Sequence, residues 1–365
     1  MSGNKKMFDK ENMDKWNNWI EESIVKEDIT TENPQLSSEQ ELNLNMEALD
    51  SLELSQLIHN FDKINIKEID PIALSNKREK LSFEKGFNII IDEINDLIFK
   101  LLNKGIAWQL LEDSVIGCIN DHNIKLQEFY NWLLNNQNNS NSIFLLGYFN
   151  HRGIERNADF KKSFNFFLDA SEKNHIPAQF FVGNCYEYEY GTVKNEKLAF
   201  KYYEKAANKN LSLGQLEIGY LYETGFGIKK DLKKAFYWYE KAVNNGNIKA
   251  VHNLALCYKH GKGVKKDYNK VFELSKQSAE GGRPEGINLL GNCYKNGMGT
   301  KIDKQKAFEL YQKSANLGNK VAQYNLGNMY EKGNGITIDI DKAIYWFEKS
   351  AKQGYQNAKN KLEIL

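Results

Sequence analysis

Small, apolar and aromatic residues recur through the last 220 or so positions with a period of 36. Shifting the chain by that period aligns Gly147, Gly183, Gly219, Ala255, Gly291 and Gly327 in one column without an insertion. Three residues later come Tyr186, Tyr222, Tyr258, Tyr294 and Tyr330, with Asn150 in the first unit. Five residues before the column stand Ser142, Ala178, Gly214, Ala250, Gly286 and Ala322, all small. Small, apolar, small and aromatic residues at i, i+4, i+5 and i+8 share one face of a helix, so AVHNLALCY and AQYNLGNMY predict the first helix of each unit, helix A. A glycine inside a helix costs about 1 kcal/mol against alanine. Its return in five of six units predicts a second helix crossing too close for a side chain.

Glycine-bearing turns such as ETGFGIKKD, KHGKGVKKD and KNGMGTKID end helix A, where glycine can take the positive φ that stops a helix. A second helix, B, starts at Asp159, Asn195, Asp231, Asp267, Asp303 and Asp339, whose side chains can accept from the orphan first-turn amides. In its clearest form, DLKKAFYWYEKAVNNG, residues Ala235, Phe236, Tyr239 and Ala242 make the apolar stripe and Lys233, Lys234 and Lys241 face solvent. Asn174, Asn210, Gly246, Gly282, Gly318 and Gly354 close helix B. One such pair cannot bury its own apolar face, so the units must stack and their ends need covers. The fold class expected is all-α: a right-handed α-solenoid of six 36-residue helix-turn-helix repeats. Its units start near 142, 178, 214, 250, 286 and 322, and residues 358–365 form a C-terminal cap.

Ahead of the repeats, residues 83–141 read as a helical cap region. Phe87, Ile91, Ile94, Ile98 and Leu101 form one stripe, and two shorter helices are expected near 109–119 and 124–134, packed on the first repeat. Residues 1–82 read as a partly disordered extension. It holds a short amphipathic helix near 13–29, with Trp16, Trp19, Ile20 and Ile24, then a polar linker over 30–80.

The repeat resembles the Sel-1-like family, relatives of tetratricopeptide repeats with a slightly longer turn. The consensus A-x-x-x-L-G-x-x-Y-x-x-G-x-G-V-x-x-D-x-x-K-A-x-x-W-Y-x-K-A-A is nearly complete across 250–264 and 219–243, and the match covers 142–357. The first unit departs from it: Asn150 replaces tyrosine, and HRGIERNADF lacks the paired glycines, as suits an end cover. The resemblance implies a superhelical scaffold that brings proteins together, in signalling or membrane-protein quality control, and implies no chemistry. WNNWIEESI resembles a segment preceding kinase domains in fungal families that join kinases to such repeats. That likeness implies a family member without its kinase.

Charge and chemistry narrow the function further. Lys plus Arg number 49 against 48 acidic residues, a balance that gives no field to draw nucleic acid or anionic lipid. The start of the chain has no apolar run of the secretory kind, and no stretch is long enough to span a bilayer, so a cytoplasmic protein without membrane insertion is expected. Cys185, Cys257 and Cys293 share one repeat position, as a small buried apolar site would, and fit a reducing compartment. GFGIKK at Gly225 lacks the third glycine and the downstream motifs of a kinase. Some bacterial relatives are linked to β-lactam hydrolysis, but the S-x-x-K matches at Ser23 and Ser82 have no supporting S-D-N or K-T-G. His252, Cys257 and His260 are spaced wrongly for one metal-binding face. No enzyme activity, no metal and no cofactor are expected.

If helix A lines the concave surface, as the tetratricopeptide likeness implies, the positions three before and one and four after the small column face a ligand. The candidate groove is then Phe144, Phe180, Leu216, His252, Asn288 and Tyr324, beside Tyr148, Asn184, Tyr220, Asn292 and Asn328. Glu187, Glu223, Lys259 and Lys295 place an acidic stretch next to a basic one, able to orient a peptide whose backbone Asn184, Asn288 and Asn292 could hold. Gly147, Gly183, Gly219, Gly291 and Gly327 are the structural positions. The partner expected is a protein or peptide, with a kinase or other signalling component as the alternative.

Overall fold

The structure, a computed structural model, describes residues 71–106 and 108–365, with side chains from 86 onward. The amphipathic helix expected near 13–29 and most of the expected linker lie outside the described residues. Residues 89–365 belong to one compact unit, and the start of the first described helix falls in another.

Among the described residues there are sixteen helices and no strands. Three precede the repeats: α1 (Pro71–Lys104), α2 (Trp108–Asp121) and α3 (Leu126–Asn135). The six A helices are α4 (Ser140–Arg152), α6 (Ile176–Tyr188), α8 (Ser212–Thr224), α10 (Ile248–His260), α12 (Pro284–Asn296) and α14 (Lys320–Lys332). Their B partners are α5 (Phe160–Glu172), α7 (Glu196–Asn208), α9 (Leu232–Asn244), α11 (Tyr268–Glu280), α13 (Lys304–Asn316) and α15 (Ile340–Lys352), and α16 (Gln356–Leu362) closes the solenoid. Helix α1 begins at Pro71, inside the stretch read as linker; proline is suited to a helix start, and a helix once nucleated adds residues cheaply. Leu102, rather than the expected Leu101, ends its buried stripe.

The capping follows the sequence. Asp159, Asn195, Asp231, Asp267, Asp303 and Asp339 each accept from first-turn amides of their B helix. Within five of the six units an aromatic ring of helix B lies across the small column of helix A. A Cβ added at Gly147, Gly183, Gly219, Gly291 or Gly327 would come within 2.6–2.8 Å of Phe167, Tyr203, Tyr239, Tyr311 or Phe347. Unit four is the exception that explains the rule. There the column carries Ala255, and the residue 20 positions on is Ser275 instead of a ring. With no ring opposite, the column has room for a methyl group, and Ala255 packs in a cluster with Val271, Leu289 and Cys293.

Units join through a second aromatic contact. Phe164, Phe200, Phe236, Phe272 and Phe308 of one unit meet Tyr186, Tyr222, Tyr258, Tyr294 and Tyr330 of the next edge to face, with centroids 5.4–5.6 Å apart. The same junction explains the turn glycines. A Cβ at Gly191, Gly263 or Gly299 would fall 2.0–2.2 Å from a backbone carbonyl at the start of the preceding B helix. Unit one has no repeat before it, so it needs neither device. Asn150 bonds its own helix at Leu146 O (2.7 Å), and Glu155 takes the left-handed conformation where later units have glycine (φ 64).

In a double-mutant cycle on unit three, Gly219→Ala alone should destabilise by about 1–2 kcal/mol, overpacking less the gain in helix propensity. Combined with Tyr239→Ser its cost should vanish, giving a coupling of about 1 kcal/mol or more in urea denaturation.

Candidate protein-interaction face

The tyrosines that cross the column continue to its far side. Tyr203 Oη lies 2.6 Å from both Asn184 Oδ1 and Glu187 Oε2. Tyr239 donates to Glu223 Oε2 (2.8 Å) and Tyr311 to Asn292 Oδ1 (3.0 Å). A buried phenol needs an acceptor, so these four residues, expected to meet a ligand, are engaged by the repeat itself. Asn292 also donates to Asn288 O (3.1 Å), which commits both ends of its amide. Asn292 is thus not free to hold a peptide backbone as expected, whereas Asn184 has only its carbonyl end engaged. Glu223 has a second partner in Lys262, and together these bonds hold its carboxyl below the usual carboxylate range against the effect of burial.

The aromatic start of the expected groove is not open. Phe144, Tyr148 and Phe180 are 0, 0 and 1% exposed. Trp108 of α2 stacks on Phe180 (6.3 Å) and meets Phe181 edge-on (5.7 Å), and Glu112 pairs with Arg152 at 2.6 Å. Phe144 packs among His175, Phe167 and Phe181. These three residues are core: Phe144 and Tyr148 are packed by rings of the repeats themselves, and Phe180 by Trp108 of the N-terminal cover. Leu216 and Asn288 are also buried, at 7 and 9%.

Helix α1 extends this cover along the starts of successive A helices. Asp92 accepts from Asn141 (2.8 Å), and Asn95 Oδ1 lies 2.9 Å from His175 Nε2. Asn103 receives Ser212 N (2.7 Å) and Ser212 Oγ (2.6 Å). From residue 92 to 103 a helix rises about 16 Å, which suits two steps between helices spaced about 8–10 Å. Helix α8 has Leu211 at its N-cap and no side-chain cap of its own, so Asn103 supplies the acceptor its first turn lacks. The three helices expected to pack on the first repeat thus make contacts through the third.

Beyond that cover the A face opens. Tyr188 and Tyr220 are 53 and 47% exposed. His252, Lys259, Lys295, Tyr324 and Asn328 are half-buried. Burial lowers the pKa of His252, whose Nδ1 has no partner among the described residues. Tyr324 packs against Phe347 (5.6 Å) and Tyr355 (5.2 Å), and Asn328 donates to Tyr324 O (2.9 Å). One residue was not anticipated: Glu217, whose carboxyl is pushed up to about 7 by burial and then by Glu187, with Lys249 opposing. Its signal was present, since the same position in other units is Leu145, Phe181, Asn253, Leu289 or Asn325. No group of three or more metal-ligating side chains occurs among the described residues, and none of their helices is long and apolar enough to cross a membrane.

The Sel1 repeat family model matches residues 140–175, 176–211, 212–247, 248–282, 284–319 and 320–355. The chain belongs to the Sel1 repeat family, which generally mediates protein–protein interaction. Among solved structures it is similar to c5321, a protective antigen of uropathogenic Escherichia coli with an SLR fold. Identity there is 29% with a TM-score of 0.56, over 63% of this chain and 50% of that one. A Sel1 repeat protein from Oxalobacter formigenes is 28% identical with a TM-score of 0.56, over 69% of this chain and 96% of that one. The match thus spans half the length of the E. coli antigen. Comparison with curated proteins finds no match.

Trp108→Ala should cost about 2 kcal/mol, roughly half the loss for a fully buried ring. Hydrogen exchange should quicken in residues 89–135 while α10 to α15 keep their protection; equal loss everywhere would contradict a separable cover.

Stability should also depend on pH. Burial, with Arg152 adding, brings His151 down to about 4, and burial brings His175 to about 3. Both are neutral when folded, whereas unfolded histidines bind protons near 6.5. The stability they allow is full above pH 6.5 and is lost as pH falls from there toward 4. Glu217 has the opposite sign, because its raised carboxyl costs stability as pH climbs from the ordinary carboxylate range through about 7. Thermal melts from pH 4 to 8 should show the acid-side loss reduced in His151→Phe, whose ring can remain among Phe160, Phe167, Phe181 and Tyr190.

Proposed function

We propose that this protein is a non-catalytic scaffold that holds a segment of a partner protein on the A-helix face left open from Tyr188, at the end of unit two's A helix, through unit six. The observation that supports this reading is the cover over units one and two. In a single chain, the A face takes up a helix of unrelated sequence through one inserted ring, Trp108, and one charge pair, Glu112–Arg152. An aromatic anchor in a pocket with a charged rim is also how helices dock in grooves between proteins. Past the cover the face continues with exposed tyrosines, a residue type favoured at interfaces because it buries area at little entropic cost. The cytoplasm is the compartment proposed. No feature among the described residues singles out a kinase as the partner.

The test is affinity purification with mass spectrometry on the full chain, beside Tyr188→Ala/Tyr220→Ala. Both rings are exposed, but Tyr188 shares a hydrogen bond with Glu187, so circular dichroism and melting temperature are compared first to show that the double variant is folded. Partners lost from the double variant place function on this face. Partners retained in full would move it to helix B or the region before residue 89.

A further inference from the structure

The A face beyond unit three is not electrically neutral in detail. Its carboxylates are paired locally: Glu223 with Lys262 and Tyr239, Glu285 with Arg283 (3.4 Å) and Glu331, through Oε1, with Lys361 (2.7 Å), while Oε2 of Glu331 is buried without a hydrogen-bond partner among the described residues. Three lysines on consecutive A helices have no carboxylate partner among the described residues: Lys259 on α10, Lys295 on α12 and Lys332 on α14. Lys295 is half-buried, and burial, followed by the charge of Lys332, lowers its pKa. Lys259 is half-buried as well and acts on Cys293 of the next A helix. Unpaired ammonium groups gathered on a partly desolvated face repel one another, and an arriving anion would relieve that cost.

The amides between these lysines are arranged asymmetrically. Asn325 donates to Asn288 Oδ1 (2.9 Å) and Asn328 to Tyr324 O (2.9 Å). In both, the NH2 end is spent inside the solenoid, while Oδ1 has no partner among the described residues. The face therefore offers cations for carboxylates and free carbonyl oxygens for N–H donors. An extended backbone presents both, whereas a helix has already used its N–H groups internally.

Spacing sets the register. Neighbouring A helices lie about 8–10 Å apart, and an extended chain advances about 3.3 Å per residue, so carboxylates three residues apart match Lys259 and Lys295, which share one repeat position; in the sixth unit that position is Glu331 and the exposed Lys332 stands one residue beyond it. Resting on the reading of the A face given above, we infer that units four to six bind an extended acidic segment of a partner protein. Its Glu or Asp side chains pair at three-residue spacing with Lys259 and Lys295, a further one reaches the exposed Lys332 beside Glu331, and its backbone N–H groups donate to Asn325 and Asn328.

The probe is a fluorescein-labelled peptide with glutamates at positions 1, 4 and 7 in a Gly/Ser/Thr background, titrated by anisotropy into the full chain. Lys259→Glu/Lys295→Glu/Lys332→Glu should weaken binding more than tenfold. Lys197→Glu/Lys233→Glu/Lys313→Glu, the same charge change on exposed helix B positions, should leave it within twofold. Affinity should fall steeply with added salt. The inference is overturned if the peptide does not bind, if both triple variants weaken it alike, or if a single-stranded oligonucleotide of equal charge competes equally well. Captured partners that depend on Tyr188 and Tyr220 but ignore the lysine variant would overturn it while leaving the scaffold reading intact. Dependence on neither set would defeat both.

Discussion

Everything in the solenoid depends on one steric contact, the ring of helix B lying against a helix A residue with no side chain. The backbones approach so closely there that a single methyl group would sit within 2.6–2.8 Å of ring carbons in five of the six units. The contact fixes the relative position of the two helices in every unit, and with it the places where turns, junction tyrosines and neighbouring helices must fall. Unit four reaches the same spacing by exchanging glycine and ring for Ala255 and Ser275.

The same contact determines what the A face has left to offer. Where the ring is tyrosine, its hydroxyl emerges beside helix A and claims an acceptor, so Asn184, Glu187, Glu223 and Asn292 serve the fold. Where the ring is phenylalanine or absent, the corresponding position is free of that demand. Lys259, in the unit with Ser275, is one such residue. Available surface chemistry thus varies from unit to unit according to a choice made in the core.

The N-terminal helices change the solenoid from a uniform array into one with a covered and an open half. Their interface combines apolar burial along Ile91, Ile94 and Ile98 with polar contacts at helix starts. Those polar contacts set register, because a misplaced helix would leave the first-turn amides of α8 without their acceptor. The cover closes over Phe180 and leaves Tyr188 and Tyr220 exposed, while Phe144 and Tyr148 are buried by the repeats themselves.

Repeat length, helix order, the capping aspartates and the small column were all legible in the sequence. Each is a local rule, and a rule repeated six times in one chain rises above the noise of any single instance. The tertiary structure alone decided which predicted groove positions are surface. Asn184 and Asn292 look like free amides until the hydroxyl from the opposite helix is placed, and that contact spans 19 residues. Phe144, Tyr148 and Phe180 look like a binding strip until the rings of neighbouring repeat helices close on the first two and Trp108 folds back over the third. Periodicity reports which side of a helix a residue occupies; it carries no information about what else in the chain arrives at that side.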